Sequence, residues 1–476
     1  MVFSSAVFLF LFLPLVIGGH FLLRGVATRN VFLLVASLIF YSWGEVFYVF
    51  VLLLSIAFNT FFGVRISRAI GAAKRNYLIT AVASNLILLG SYKYANFIID
   101  NLNLLLGFLG TAPLEKDPVH LPLGISFFTF QAISYVVDVY RGDARVQKRF
   151  LEVALYISLF PQLIAGPIVR YGFIEQQLTN RITTLEDFGY GVRRFVIGLA
   201  KKILIANTLG QTADDIFDHP TDQISTSVAW LGIASYALQI YFDFSGYSDM
   251  AIGLGRMFGF RFPENFNHPY ISTSVREFWR RWHITLSTWF RDYVYIPLGG
   301  NRAGGLRVYG NLLIVFLLVG LWHGASWSFV IWGLYHGSFL VLERLGFGKI
   351  LERLPAVLCH LYLLLVVTVG WVFFRSEDLG YALDYLSIMG GISESSDLQT
   401  YIGSYLNRKF LLAFIFGVVF SAPIYSILRN SLLPRTTSQT TQLQLVLHDL
   451  LVAVLFVLSA LAIAAQTYNP FIYFRF

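Results

Sequence analysis

The sequence predicts an all-α polytopic membrane protein, and three observations carry that expectation. Of 476 residues, 56% are hydrophobic and only 13% charged, against about a quarter charged in an average soluble domain. Mean hydropathy is +0.65. Long apolar runs recur along the whole chain, separated by charged or turn residues. At about 20 apolar residues per crossing, there is material for roughly 11–13 transmembrane helices, with re-entrant or amphipathic segments between them. We expect a single integral-membrane domain over residues 1–476. This composition excludes a disordered tail, a nucleic-acid-binding domain and an ordinary cytosolic enzyme.

The apolar stretch Met1 to Ile17 lacks a basic leading region and an Ala-x-Ala-like cleavage site, so it reads as an uncleaved first span. Further candidate spans lie near 30–44, 46–63, 77–97, 121–139, 150–168, 226–242, 308–322, 326–343, 355–374, 409–428 and 444–467, the first reaching over 2–23. The stretches 185–205 and 244–259 read as amphipathic or re-entrant. Thr436 to Gln444 is polar and reads as a short loop. The single cysteine, Cys359, permits neither an internal disulfide nor a thiolate metal cluster.

The net charge is +8, from 35 Lys+Arg against 27 Asp+Glu. In a membrane protein such an excess gathers in cytoplasmic loops. The clusters are Arg24 with Arg29; Arg65, Arg68, Lys74 and Arg75; Arg141, Arg145, Lys148 and Arg149; Arg344, Lys349 and Arg353; and Arg429 with Arg435. An even number of spans separates each of the first three from the next, so all three can face the cytoplasm, with the N-terminus outside. The loop Ser376 to Leu406, carrying Glu377, Asp378, Asp384, Glu394 and Asp397, then falls outside.

The segment 256–307 is the most unusual. It holds Arg256, Arg261, Arg276, Arg280, Arg281, Arg291, Arg302 and Arg307 and no lysine, opposed only by Glu264, Glu277 and Asp292, with aromatic residues throughout. Arginine without lysine suggests bidentate binding of carboxylates or phosphates and stacking on rings. An interfacial collar of snorkelling arginines is the alternative. Asp243 and Asp249 lie in an apolar stretch where unpaired carboxylates are costly, and we expect them to pair with arginines of 256–307.

Of nine histidines, His20, His120, His219, His268, His360 and His448 sit at span edges or in loops and read as packing or interfacial residues. His283 lies in Glu277-Phe278-Trp279-Arg280-Arg281-Trp282-His283, where dense positive charge favours the neutral, proton-accepting imidazole. His323 ends an apolar run; from Val308 to Trp322 a helix extends about 22 Å, short of a hydrocarbon core of about 30 Å. A histidine recessed in this way is a functional candidate. His336, on the next span, is a weaker one that could simply hydrogen-bond within the bundle. There is no His-Glu-x-x-His, so no metal is assigned, and neither a dinucleotide fingerprint nor a nucleophile elbow is present. A histidine base without a metal suits acyl transfer to a hydroxyl.

The run Phe278-Trp279-Arg280-Arg281-Trp282-His283-Ile284-Thr285-Leu286-Ser287-Thr288-Trp289, then Arg291-Asp292-Tyr293, Leu298-Gly299-Gly300-Asn301-Arg302 and Trp322-His323-Gly324, resembles the signature of the membrane-bound O-acyltransferases. The resemblance is to the bacterial branch that contains the alginate O-acetyltransferase subunit. It extends to Met1-Val2-Phe3-Ser4-Ser5, Tyr94-Ala95-Asn96-Phe97, Leu123-Gly124-Ile125-Ser126-Phe127, Val139-Tyr140-Arg141-Gly142, Leu163-Ile164-Ala165-Gly166-Pro167, Tyr241 to Asp249 and Trp371 to Arg375, essentially the whole chain.

The resemblance implies a multi-helix bundle with a central funnel, in a multi-pass protein of the bacterial inner membrane. It implies that His323 is the catalytic histidine and His283 the second signature residue, on the cytoplasmic side. It further implies acetyl-CoA as a donor that is not permanently bound, and periplasmic partner enzymes that place the acetyl group on a secreted polysaccharide such as alginate or cellulose. Arg280 and Arg281 become candidate donor anchors. Two sites on opposite faces of a thinned centre would serve cross-membrane transfer. Rival readings are D-alanyl or fatty-acyl transfer on the same fold, a polysaccharide-export transporter and a structural scaffold.

Overall fold

The computed structural model describes residues 1–392, 401–424, 438–465 and 468–470. Among these residues helix is the only regular structure. Four helices are long and apolar enough to cross a membrane by length and composition: Tyr48–Arg68, Gly305–His323, Ala356–Arg375 and Val446–Ala465. Phe8–Leu22, Val26–Ser42 and Ala95–Phe108 are shorter apolar helices.

Several expected spans take a different form. The 150–168 stretch is broken: Phe150–Ser158 ends at Leu159 (ψ 112°), and a single turn, Phe160–Leu163, follows with Pro161 at its start. Proline donates no hydrogen bond and cannot continue the preceding helix. The 185–205 stretch belongs to a continuous rod made of Leu185–Ala200, a π-helical Lys201–Ala206 and Asn207–Phe217. Nor is 244–259 re-entrant. It continues 226–242 in one helix, Thr226–Met257, of 32 residues.

Helices also form outside the expected spans, among them Tyr171–Thr179, Asn207–Phe217 and the two that follow. Ala95–Phe108 contains Asp100, Asn101 and Asn103, which interrupt its apolar pattern. Leu379–Met389 lies in the acidic 376–406 stretch, where the Asp378 side chain caps it by accepting the Tyr381 N–H at 2.8 Å. The polar stretch from Ser438 is also no loop, but the start of the helix Ser438–Ala465. Glu394, Asp397, Arg429, Arg435 and Thr436 lie outside the described residues.

The chain forms two compact units. The first comprises residues 1–192 and 251–263. Its core includes the rings of Phe3, Phe8, Phe12, Phe40 and Phe160, with centroid separations from 5.0 to 6.5 Å. Asn59 and Asn85 exchange side-chain hydrogen bonds of 3.1 and 2.7 Å between neighbouring helices. Arg256 pairs with Asp187 at 2.6 Å.

The second unit comprises residues 193–250 and 264–476, and two backbone approaches organise it. A Cβ on Gly198 would fall 2.5 Å from the Gly246 carbonyl oxygen, so the two helices cross with main chains touching. That crossing decides where the buried carboxylates go. Asp249 pairs with Arg194 at 2.6 Å and with Lys201 at 2.7 Å, and Asp243 with Lys202 at 2.6 Å. The expected partners in 256–307 are therefore replaced by cations of the neighbouring rod.

The other approach is in the hairpin of Gly305–His323 and Trp327–Leu342. A Cβ on Gly320 would overlap the Phe329 carbonyl oxygen and lie 3.2 Å from the Gly333 Cα. Gly320→Val should force the hairpin apart, at about 1–3 kcal/mol or more for overpacking. A lowered unfolding midpoint in detergent checks this; an unchanged midpoint contradicts it.

Candidate active site

The arginine-rich segment folds by local rules. Ser274 caps a helix, its Oγ accepting the Glu277 N–H at 3.1 Å, while Glu277 Oε2 reaches back to accept the N–H of Thr273, the residue before the cap, at 2.9 Å. The short helix Val275–Arg281 starts there. Buried Glu343 completes the cap by accepting the N–H groups of Val275 and Arg276 at 2.6 and 3.0 Å. After Trp282 the chain turns through His283, which is left-handed at φ 44°, and enters a second helix, Ile284–Phe290. A non-glycine residue there is uncommon and signals a constrained position.

The turn delivers His283 to the end of the 305–323 helix. The rings of His283 and His323 lie 6.5 Å apart, centroid to centroid. Both are buried, at 0% and 3% exposure. Around them stand Phe244 at 4.6 Å and Trp322 at 6.0 Å from His283, and Trp332 at 5.0 Å and Phe374 at 5.1 Å from His323. The two histidines thus share one chamber of aromatic side chains.

His283 Nδ1 meets Asn265 Oδ1 at 3.1 Å. Its Nε2 is buried without a hydrogen-bond partner among the described residues. His336 packs behind, 5.2 Å from both Trp279 and Trp332, and neither of its ring nitrogens has a partner among the described residues.

Beside the chamber is a cavity of about 260 Å³. Leu286, Phe290, Leu312, Val315, Phe316 and Val319 give it apolar walls, and Arg276, Arg280, Arg291 and Arg344 line it as well. Val319 precedes His323 by one helical turn, about 6 Å along the axis. Trp279 also lines the cavity and touches Trp332 at 5.7 Å, and Trp332 in turn packs on His323 at 5.0 Å.

Arg276 and Arg280 are exposed, and their guanidinium groups have no partner among the described residues. Arg291 is bound to Asp292 at 2.7 Å and Arg344 to Asn301 at 2.9 Å. Arg281 does not line the cavity; it pairs with Glu277 at 2.9 Å. Burial opposes the charge on Glu277, but the bonds from Thr273 and Arg281 outweigh it and hold the carboxyl below its ordinary value.

Of the residues singled out in sequence, His283, His323 and Arg280 are brought to this region, and Arg281 supports it through Glu277. Arg276, Arg291 and Arg344 were named only as members of arginine-rich clusters, and Asn265 and Trp332 not at all. The arginines had a signal in the lysine-free segment and in the 344–353 cluster, but Asn265 had none.

The family model of the membrane-bound O-acyltransferases matches residues 38–350. A probable alginate O-acetylase of Pseudomonas putida is 44% identical over the whole of both chains. The chain belongs to the membrane-bound O-acyltransferase family. A second relative, the peptidoglycan O-acetyltransferase of Helicobacter pylori, is 36% identical over all of this chain and 98% of its own. The teichoic acid D-alanyltransferase of Bacillus subtilis is 29% identical over 55% of this chain and 70% of its own. This member of the membrane-bound O-acyltransferases is accordingly a multi-pass membrane enzyme and an O-acetyltransferase.

Proposed function

We propose that the chain sits in the bacterial inner membrane, takes acetyl from acetyl-CoA on the cytoplasmic side and passes it outward for O-acetylation of a secreted polysaccharide, with alginate the first candidate. The observation that carries this reading is the buried His283–His323 pair set one helical turn from an apolar, arginine-lined cavity. Arg276 and Arg280, unneutralised, suit the phosphates of the donor, and the apolar walls suit its pantetheine arm.

In the transfer, an acceptor hydroxyl attacks the thioester carbonyl while His323 takes the hydroxyl proton. A C–O bond forms, the C–S bond breaks, and the hydroxyl proton held by His323 passes on to the sulfur, with His283 as relay, so that coenzyme A leaves as the thiol. His283 assists as the neighbouring acceptor. Periplasmic partner enzymes would carry the group to the polysaccharide.

The test uses the protein in liposomes with radiolabelled acetyl-CoA on one side, following coenzyme A release and label transfer to alginate or to peptidoglycan fragments. His323-dependent release with label on alginate is the expected result. Label on peptidoglycan alone would transfer the proposal to the acceptor of the Helicobacter pylori relative, and His323-independent release would overturn it. Arg276→Ala and Arg280→Ala should each raise the KM for acetyl-CoA about 10- to 100-fold with kcat largely retained, since a hydrogen bond to a charged group contributes about 1.5–3 kcal/mol. Steady-state kinetics check this, and an unchanged KM would remove the cavity from the donor path.

A further inference from the structure

We infer that Asn265 is a positioning residue that fixes which nitrogen of His283 carries the proton, leaving Nε2 as the proton acceptor in the chamber. The inference rests on the reading that the histidine pair carries the transfer.

The argument starts from what Asn265 touches. Its Oδ1 meets His283 Nδ1 at 3.1 Å, the Thr285 backbone nitrogen at 3.2 Å and Thr285 Oγ1 at 2.8 Å. Its Nδ2 donates to Ser248 Oγ at 3.1 Å. A backbone N–H can only donate, so the Asn265 atom facing Thr285 is the amide oxygen and not the nitrogen. An amide oxygen has no proton to give, so the hydrogen on the Asn265–His283 bond comes from Nδ1. A neutral imidazole has one N–H, and with Nδ1 holding it the lone pair is on Nε2. That Nε2 is the atom buried without a partner among the described residues, in a ring 6.5 Å from His323.

The main chain of Asn265 serves the same end. Its carbonyl accepts the Ile284 N–H at 2.9 Å, and the Asn267 N–H donates to the Arg281 carbonyl at 2.9 Å. These bonds hold both sides of the left-handed His283 turn, a conformation that persists only where its surroundings over-determine it. Asn265 therefore sets the position of the imidazole through the backbone and its tautomer through the side chain.

The groups facing His283 leave this assignment undisturbed. Phe244 and Trp322 are uncharged rings, and His323 is the titratable side chain in ring contact. On the 226–257 helix, Asp243 is paired with Lys202, and Asp249 with Lys201 and Arg194.

The experiment compares wild type, Asn265→Ala, Asn265→Asp and His323→Ala, each full-length in liposomes with radiolabelled acetyl-CoA. For Asn265→Ala, kcat should fall by the order of 10²–10⁴-fold with the KM for acetyl-CoA within about threefold of wild type. Asn265→Asp keeps an acceptor at Nδ1 and should recover most of that loss. Its carboxylate stabilises the imidazolium, so the acid limb of its kcat–pH profile should move to higher pH. A packing role alone would not move that limb.

A wild-type kcat in Asn265→Ala, or an acid limb in Asn265→Asp that does not move, overturns the inference. Should Asn265→Ala fail to fold, the Asn265→Asp profile decides. An active His323→Ala would instead overturn the histidine-pair reading beneath it, so the two failures are distinguishable.

Discussion

His323→Ala should abolish acetyl transfer while leaving the protein folded and inserted. A positioned acid–base group contributes about 10²–10⁴-fold to rate, or about 3–5 kcal/mol of activation free energy at about 1.4 kcal/mol per decade. His323 is the last residue of its helix and packs edge-on against Trp332 and Phe374, at interplanar angles of 84° and 72°. Truncation removes a ring from a wall of larger rings, and the Gly320–Gly333 contact that holds the hairpin is untouched. His323→Gln, which keeps bulk and polarity but offers no imidazole, should be as inactive as His323→Ala. Labelled coenzyme A release, read beside protease protection of the inserted protein, separates lost chemistry from lost fold. Wild-type transfer by either variant would remove His323 from the reaction.

The largest effect on stability is expected at Asp243. Its carboxylate and the Lys202 ammonium lie 2.6 Å apart with side chains 2% and 4% exposed, and Lys202 also donates to the Pro470 carbonyl. Removing one partner of a buried pair leaves an uncompensated charge and costs about 3–5 kcal/mol, whereas replacing both with apolar groups is often close to neutral. Asp243→Ala should therefore lower the unfolding midpoint strongly, and Asp243→Leu combined with Lys202→Met should restore much of it. The double-mutant cycle in detergent measures the coupling. If the single and double variants are equally destabilised, the pair is not the source of the effect.

The pairing of Asp243 also marks where sequence reasoning reached its limit. That a carboxylate in an apolar run needs a cation was legible from the cost of leaving it bare. Which cation was not, because the Gly198–Gly246 crossing selects it, and two glycines far apart in sequence carry no visible sign of meeting. The spans Tyr48–Arg68, Gly305–His323 and Ala356–Arg375 were legible because each is a continuous apolar run of sufficient length. The break at Leu159 was harder, since the residues around Pro161 remain apolar across it.

In the site, His283 and His323 stood out as ionisable groups in unusual surroundings. Their closeness depends on a left-handed turn at a histidine, and histidine's modest preference for that conformation is too weak to announce it. Arg280 and Arg281 looked interchangeable as neighbours. Successive residues on a helix point about 100° apart, so Arg280 reaches the cavity while Arg281 reaches Glu277. Asn265 escaped notice because an asparagine in a polar loop is ordinary until its hydrogen-bond partners are known.

The touching main chains at Gly320 and Gly333 have a consequence for how this enzyme can vary. The spacing of the hairpin is set by backbone against backbone, with no side chain as a shim between them. Ile314 and Leu318, exposed on the same helix, can drift among apolar residues without altering that spacing. The hairpin thus works as a fixed chassis: its outer face is free to adapt to lipids of different thickness, while the seat of His323 stays where the glycines set it.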